Sequence, residues 1–590
     1  MKKLSNLIGI ILLFSSALNA QNISGTVNNY AAVKNLTGTN IGVNATTGFA
    51  FGDKVLLIQM KGAVIDSTNS ANFGNIINLG GAGNYEFATV STVVGTVITL
   101  SSAPTKTYNV LKGFVQLVKV PKFCNPTVVA PITCPAWNET VGTGGIIAFE
   151  AGTLTLNAPV NANEAGFAGG NFALGSFGCS NGNYFGVQGV DGGQKGESIS
   201  GYMPYKDGRK GKQANGGGGG NSGNSGGGGG GNGGVGGLGG NEYSGCGSYD
   251  DRGNGGLGVG TGLNVMYLGG GGGGGYEDNG QVATSGGRGG GIVYIKANAI
   301  FSNNEVISAK GESVTIIASD EASGGGGAGG SVFIECTTIT GTLQVNTDGG
   351  SGGSNNNVLF QADAHGTGGG GGGGVFAYSG ATLPSGVTVS SVGGAAGTVN
   401  NPQSSQYNTT YGATAGATGV SYANLPTTPG IVVPVMTVSQ NTIVCAKQSI
   451  VLTAGGVQTY SWSTGATTPS ISVSPTVNTS YTVTGSGTNT NSCKVVSVIS
   501  LTVMNCTGLE AFTTDETLKV YPNPTSGKVS FETKNKISVQ ITDNIGKVIL
   551  EKEFEEGTYT LDLSAYATGI YQVKVLGTSE SKIIKLVKTE

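Results

Sequence analysis

Short runs of apolar residues alternating with polar ones, broken every few residues by Gly, Asn or Pro, fill most of this chain and predict strands rather than helices. Over residues 21–122, Val55-Leu56-Leu57-Ile58-Gln59-Met60, Tyr85 to Val94, Thr96 to Leu100 and Phe114 to Val120 read as strands of a small barrel or sandwich. From 123 to 430 a motif recurs. Gly144-Gly145-Ile146-Ile147-Ala148-Phe149-Glu150 returns as Gly290-Gly291-Ile292-Val293-Tyr294-Ile295-Lys296 and as Gly329-Gly330-Ser331-Val332-Phe333-Ile334-Glu335, with a weaker copy from Gly373 to Tyr378. A second half-motif, Gly152 to Leu156, is echoed by Gly341 to Val345. One such strand pair cannot bury its apolar face alone, so the copies must stack. A right-handed parallel β-helix is the simplest stack, with a sandwich as the alternative. In it, Ile292 and Tyr294 or Val332 and Ile334 would alternate in and out of a narrow core.

The fold expected is therefore all-β: a small β domain (21–122), a Gly-rich β-helix-like body (123–430), a β module (435–506) and a terminal β-sandwich (515–590). A Pro- and Thr-containing linker, 424–434, closes the body. In the module, strands such as Ser449 to Thr453, Tyr460 to Thr464 and Tyr481 to Thr484 surround Cys445, Trp462 and Cys493. That order suggests an indole buried against an inter-sheet disulfide, with Cys506 as an alternative partner for Cys445. The module resembles the immunoglobulin-like repeats of secreted bacterial surface proteins, without the tyrosine two residues before Cys493.

Composition sharpens the picture. Glycine supplies 110 of 590 residues, against roughly 7% in average usage, and without the Gly-X-Y period of collagen. Runs such as 216–240, 269–275, 324–330 and 368–374 read either as flexible spacers or as extended polyglycine strands packed side by side. Charged residues are 11% and the net charge is -3, which leaves no basic surplus for nucleic acid. Residues 1–20, with Lys2, Lys3 and the apolar run Leu7 to Phe14, read as a signal peptide cut before Gln21. That run is too short for the roughly 20 residues of a membrane span. Export makes the eight cysteines candidates for disulfides whose connectivity the sequence does not give: Cys124 and Cys134 are close neighbours, Cys179 and Cys246 flank the glycine-richest stretch, and Cys445 and Cys493 share a later segment.

The C-terminal segment carries the most specific pattern. Its blocks are Leu518-Lys519-Val520-Tyr521-Pro522-Asn523-Pro524-Thr525-Ser526-Gly527, then Ala567-Thr568-Gly569-Ile570-Tyr571-Gln572-Val573, and Lys582 to Lys588. They resemble the C-terminal sorting domain of proteins exported by the type IX secretion system of Bacteroidota. The resemblance implies passage across the outer membrane with that machinery as partner, removal of the domain, and release or attachment at the surface. Tyr521, Pro522, Asn523, Pro524, Gly527, Gly569 and Tyr571 are the residues that carry it. Lysines alternating with apolar residues in the last strand should leave one charged face wet.

Chemistry is sparse. Ser225 in Gly223-Asn224-Ser225-Gly226-Gly227 mimics a nucleophile elbow but sits in polyglycine, and the single histidine, His365, is the only base available. Asp363-Ala364-His365 could form an acid–base pair. Asp250-Asp251, Glu277-Asp278 and Asp320-Glu321 could supply oxygens to calcium, although the repeated calcium motif is absent. Tyrosines 184, 202, 205, 243, 249, 267 and 276 could stack on sugars. The sequence thus points to a secreted, non-enzymatic structural or adhesin-like protein of the extracellular space or outer surface. It would need no cofactor and would contact polysaccharide or other cells; the body looks like the repetitive stalks of bacterial adhesins. A secreted polysaccharide lyase or glycoside hydrolase on a β-helix is the alternative. An ice-binding surface finds too few threonines in Thr153, Thr155 and Thr342.

Overall fold

The computed structural model describes residues 21–589, except 176–177, 180–181, 188–189, 247–249, 261, 360, 429, 488–493, 505–517 and 577–580. The expected signal peptide, Tyr249, Cys493 and Cys506 lie outside the described residues. The chain forms two units, residues 1–502 and 503–590. Nearly all regular structure is β, and among the described residues no helix is long and apolar enough to cross a membrane.

In the first unit, Gln21–Gly25 pairs with Pro126–Thr133 of the body, and a closed six-stranded barrel follows it, in the order Tyr30–Thr37, Asn40–Val43, Val97–Leu100, Tyr85–Val94, Lys54–Gln59 and Val115–Lys119. Strand alternation divides its apolar residues. Val55, Leu57, Val115 and Leu117 fill the barrel. Leu56, Ile58 and Val118 point out of it and are equally buried, because the body packs there.

The body is built on parallel pairing. Ile146–Leu156, Ile292–Ser308, Ser331–Asn346, Val375–Tyr378 and Val420–Tyr422 lie side by side with the repeated motifs in register: Ile146 faces Ile292, which faces Ser331, then Val375, then Val420. The long strands bend over. Asn304 and Gly341 have positive φ of 60° and 85°, and the pairing shifts between Asn303 and Glu305. The chain then returns far enough for the Gly330 N–H, beside the start of the next strand, to bond the Ala309 carbonyl at 2.7 Å. Val293, Ile295, Val332 and Ile334 on the outgoing leg face Ile307, Leu343 and Val345 on the returning leg in one core. The opposite set, Ile292, Tyr294 and Phe333, is also buried, against Leu56, Ile58 and Val118 of the barrel. Single-sequence alternation cannot distinguish a wet face from one covered by another domain.

The glycine runs are ordered. Residues 226–231 donate in rotation to three neighbours: Gly226 and Gly229 to Gly240 and Gly237, Gly227 and Gly230 to Ser323 and Gly326, Gly228 and Gly231 to Gly218 and Asn215, all at 2.7–3.0 Å. Their carbonyls accept from three others: from Gly253 and Gly256, from Gly369 and Gly372, and from Gly273 and Gly270. A period of three and the absence of internal bonds define the polyproline II conformation. Each residue points its N–H and C=O at a different neighbour, so this segment is bonded to six others. A Cβ on Gly229 would lie 2.0 Å from the Gly370 oxygen, and on Gly227 2.1 Å from that of Gly273. The backbones therefore approach too closely for any side chain, and mutual hydrogen bonds satisfy the donors that a lone polyproline II strand leaves to solvent. Mutual bonding of this kind, and not strand pairing, satisfies the backbone of these glycine segments.

The linker expected at 424–434 lies on the sheet: Leu425 and Ile431 are buried, and the Asn298 side-chain amide donates to the Ile431 carbonyl at 2.8 Å. Beyond it, a three-stranded and a four-stranded antiparallel sheet make a sandwich with Trp462 buried and its indole N–H donating to the Thr468 carbonyl. The second unit contains a three-stranded sheet, Leu518–Tyr521, Lys528–Thr533 and Gly557–Asp562, and a four-stranded one that ends in Ser581–Lys588. Val529, Phe531, Val539, Ile541, Val573 and Leu586 fill the core of this unit.

Candidate functional site

Two places bring chemistry-bearing side chains together. The first is a polar cleft of about 380 Å³ in the first unit, between Lys61 of the barrel, Trp137 to Glu139 and the glycine segments at 168–171 and 194–197. The Lys61 ammonium, almost fully buried, lies 2.7 Å from Glu139 and 2.8 Å from Glu197. Both Glu197 oxygens are engaged: Oε1 takes the Trp137 indole N–H at 2.7 Å and Oε2 the Ala168 N–H at 2.8 Å. Lys195 is fully buried and donates to three carbonyls, of Tyr184, Arg209 and Gly211. Burial pushes its ammonium well below the usual lysine range, against the nearby Asp207 carboxylate. Tyr202 stands at the rim, 57% exposed. The arrangement can hold a polar ligand. Lys61, Glu139 and Glu197 are already paired with one another, and no motif in the sequence announced the cleft, because these three residues come from separate segments.

The second place is the end of the glycine lattice away from the strands. There the connecting loops meet through bridges joining Val282 to Ser319, Ala318 to Asn355 and Asn355 to Val399. Several acidic candidates gather at this end. Asp278 and Glu321, 43 residues apart, come together: Glu321 caps the backbone N–H groups of Asp278 and Asn279 at 3.3 Å. Burial and the carboxylates of Asp278 and Glu277 push Glu321 up to about 8. Burial also raises Asp278 and Glu277. The pair at 250–251 differs: Asp250 meets Arg252 at 3.0 Å and Asp251 meets Lys210 at 3.3 Å, so both charges are neutralised within the chain.

Ser225 is buried, and its hydroxyl accepts the N–H groups of Asn221 and Ser222, closing a turn. Among the described residues no hydrogen bond joins it to His365. His365 is itself buried, packed edge-on against Tyr243 at 5.4 Å. Asp363 receives the Ser244 hydroxyl at 3.4 Å. Of the tyrosines, Tyr267 and Tyr276 are core residues, while Tyr202 and Tyr205 stay exposed.

Cys179 and Cys246 form a disulfide, and Cys445 is disulfide-bonded. Among the described residues no disulfide joins Cys124 to its sequence neighbour Cys134. The strand Pro126–Thr133 runs between them. Burial pushes the Cys134 thiol up to about 12.

In the second unit, the Asn523 side chain donates to the Lys585 carbonyl at 2.6 Å and accepts the Val587 N–H at 2.9 Å, locking the Tyr521-Pro522-Asn523-Pro524 stretch to the last strand. Gly527 has φ +156°, and a Cβ there would meet Ser564 Oγ at 2.4 Å. The Tyr571 hydroxyl donates to the Ala567 carbonyl at 2.5 Å, fixing the turn that carries Gly569. The final strand departs from the expected wet lysine face: Lys585 is exposed, but Lys588 is turned in beside Leu586 and donates to the Tyr566 carbonyl at 2.7 Å.

Residues 519–589 match the family described as the secretion system C-terminal sorting domain. No curated protein matches the chain. Among solved structures, the chain is similar over 26% of its length to a biofilm-associated protein BSP domain (12% identity, 30% of that chain, TM-score 0.11). It is similar over 26% to fibronectin(III)-like modules of Clostridium thermocellum CbhA (11% identity, 94% of that chain, TM-score 0.12). Over 30% of its length it is similar to dimeric latent PorU from Porphyromonas gingivalis (11% identity, 23% of that chain, TM-score 0.11). The sorting domain marks the chain as one exported to the extracellular space or outer surface through its secretion machinery.

Proposed function

We propose that this exported chain is a structural, adhesin-like protein of the cell surface, whose body serves as a stiff β-helix-like solenoid and carries contact loops at one end. The observation that supports this reading is the glycine lattice: segment 226–231 is hydrogen-bonded to six neighbours, with no room for side chains. Such a solid is costly to order, since glycine loses the most freedom on folding, and it offers mechanical regularity in place of a reaction site. The loops at its end expose Phe172, Leu174, Val282, Ile316, Val358 and Leu359. An apolar display of this kind suits contact with the hydrophobic faces of polysaccharide or with other cells. The sandwich after the body acts as an immunoglobulin-like spacer, and the sorting domain directs release or surface attachment.

The test is display in a type IX-competent host. Full-length protein should reach the surface and confer binding to glycans or cells, and truncation at residue 518 should leave it in the periplasm. Ile316→Ser with Leu359→Ser should reduce binding without reducing export. A secreted polysaccharide lyase or glycoside hydrolase is the second reading, and the paired Glu139 and Glu197 around Lys61 favour the cleft as its location. Release of reducing ends or unsaturated sugars, lost on Glu139→Gln, would replace the structural reading with this one.

A further inference from the structure

The turn at 224, the loop at 276–279 and the start of the glycine segment at 321 meet at one point of the lattice end. Tyr276 N–H bonds the Ser225 carbonyl, and Ala322 N–H bonds the Tyr276 carbonyl, both at 3.3 Å. The Asn224 side chain hydrogen-bonds Asp278, and Glu321 caps the N–H groups of 278 and 279. Two oxygens are left over. Asn224 Oδ1, on a side chain 3% exposed, and Asp278 Oδ2 are both buried without a hydrogen-bond partner. A buried acceptor without a donor costs about 1–3 kcal/mol, more when it is charged. Two of them beside a further carboxylate make an oxygen-lined, electron-rich point. Among the described residues no lysine or arginine forms an ion pair with it: the cation acting on neighbouring Tyr276 is Arg209, which is paired with Asp191 at 3.0 Å.

We propose that Asn224 Oδ1, Asp278 Oδ2 and the Glu321 carboxylate bind a calcium ion that ties these three segments together beneath the exposed loops. Carboxylates alone do not make the site, since among the described residues no three of His, Cys, Asp and Glu are grouped as metal ligands. The amide oxygen of Asn224 supplies the neutral ligand. Calcium accepts such mixed sets of carboxylate, amide and water oxygens in flexible geometry, whereas magnesium demands a near-ideal octahedron. Extracellular modules bind calcium at about 10⁻⁴–10⁻³ M, which suits an exported protein.

The full chain, freed of metal with a chelator, is titrated with calcium chloride by calorimetry. One ion per chain and a raised melting temperature are expected. Asp278→Asn and Asn224→Gly should each weaken binding at least tenfold; glycine suits the positive φ of 58° at 224, so the second variant keeps its turn and stays informative if the first does not fold. Heat absent up to 10 mM calcium, or binding unchanged in Asn224→Gly, overturns the proposal.

Discussion

Lys296 Nζ lies 3.2 Å from Glu335 Oε1, with both side chains only 5% exposed. The two residues are direct neighbours in the parallel register, and Glu150 faces Lys296 from the other side. With Lys54 of the barrel paired to Glu150, the charges alternate across four elements. Glu335 also accepts the Tyr294 hydroxyl at 2.7 Å and the Thr428 N–H at 2.5 Å. Breaking such a buried pair strands its partner charge, whereas replacing both members by apolar residues is often neutral. Glu335→Ala should therefore lower unfolding stability by about 3–5 kcal/mol in urea titrations of the full chain. Lys296→Met combined with Glu335→Leu should recover most of it. A double variant as unstable as the single one would show that the hydrogen bonds, and not the stranded charge, carry the cost.

Glycines in the lattice and glycines outside it should respond in opposite ways to the same methyl group. Alanine at 229 would place Cβ 2.0 Å from a backbone oxygen that other segments hold in place, whereas at 201 nothing lies within 4 Å. Gly229→Ala is expected to cost more than about 4 kcal/mol, at the severe end of single substitutions. Gly201→Ala should be neutral or slightly stabilising, because alanine restricts the unfolded chain. Melting temperatures of the two variants decide this, and equal losses would mean that 226–231 is not packed as described.

Much of this architecture was readable from residue order. The copies beginning at Gly144, Gly290, Gly329 and Gly373 are the strands that pair in register, because a repeated apolar half-face can only be buried by another copy of itself. The resemblance over Tyr521 to Gly527 and Gly569 to Tyr571 identified the sorting domain for the same reason: turn and proline chemistry is local. Three things were not readable. Alternation groups Ile292 with Tyr294 but does not say that the barrel covers their face. Polyglycine carries no side-chain pattern, so the sequence could not separate a spacer from a lattice in which Gly227 and Gly326 serve different neighbours. Asp278 and Glu321 meet only because two loops end at the same level, and the Lys61 cleft likewise depends on tertiary placement.

The disulfide between Cys179 and Cys246 encloses 67 residues of sequence, including the segment with six neighbours. In the chain-entropy view such a crosslink removes about 4 kcal/mol of freedom from the unfolded chain. Cys179→Ser with Cys246→Ser should lower the melting temperature while leaving the sorting domain, a separate unit, unaffected. A melting temperature unchanged from the oxidised parent would mean that the glycine lattice alone fixes this loop.

His365 should make the body acid-sensitive. Its ring is 2% exposed, packed on Tyr243, and burial pushes its pKa down to about 4 despite the carboxylates of Asp320 and Asp363. The folded state therefore keeps the imidazole neutral, while the unfolded chain protonates it near 6.5. Between those values the unfolded state binds more protons, so stability rises with pH. The contribution is fully present above about 6.5, falls away as pH drops through about 4, and amounts to at most about 3 kcal/mol. Because this is the only histidine in the chain, His365→Gln should flatten the stability profile from pH 6.5 to 4 while leaving the carboxylate-driven loss below pH 4. Urea midpoints at half-unit steps for parent and variant measure it; parallel curves through that window would rule the histidine out as the source.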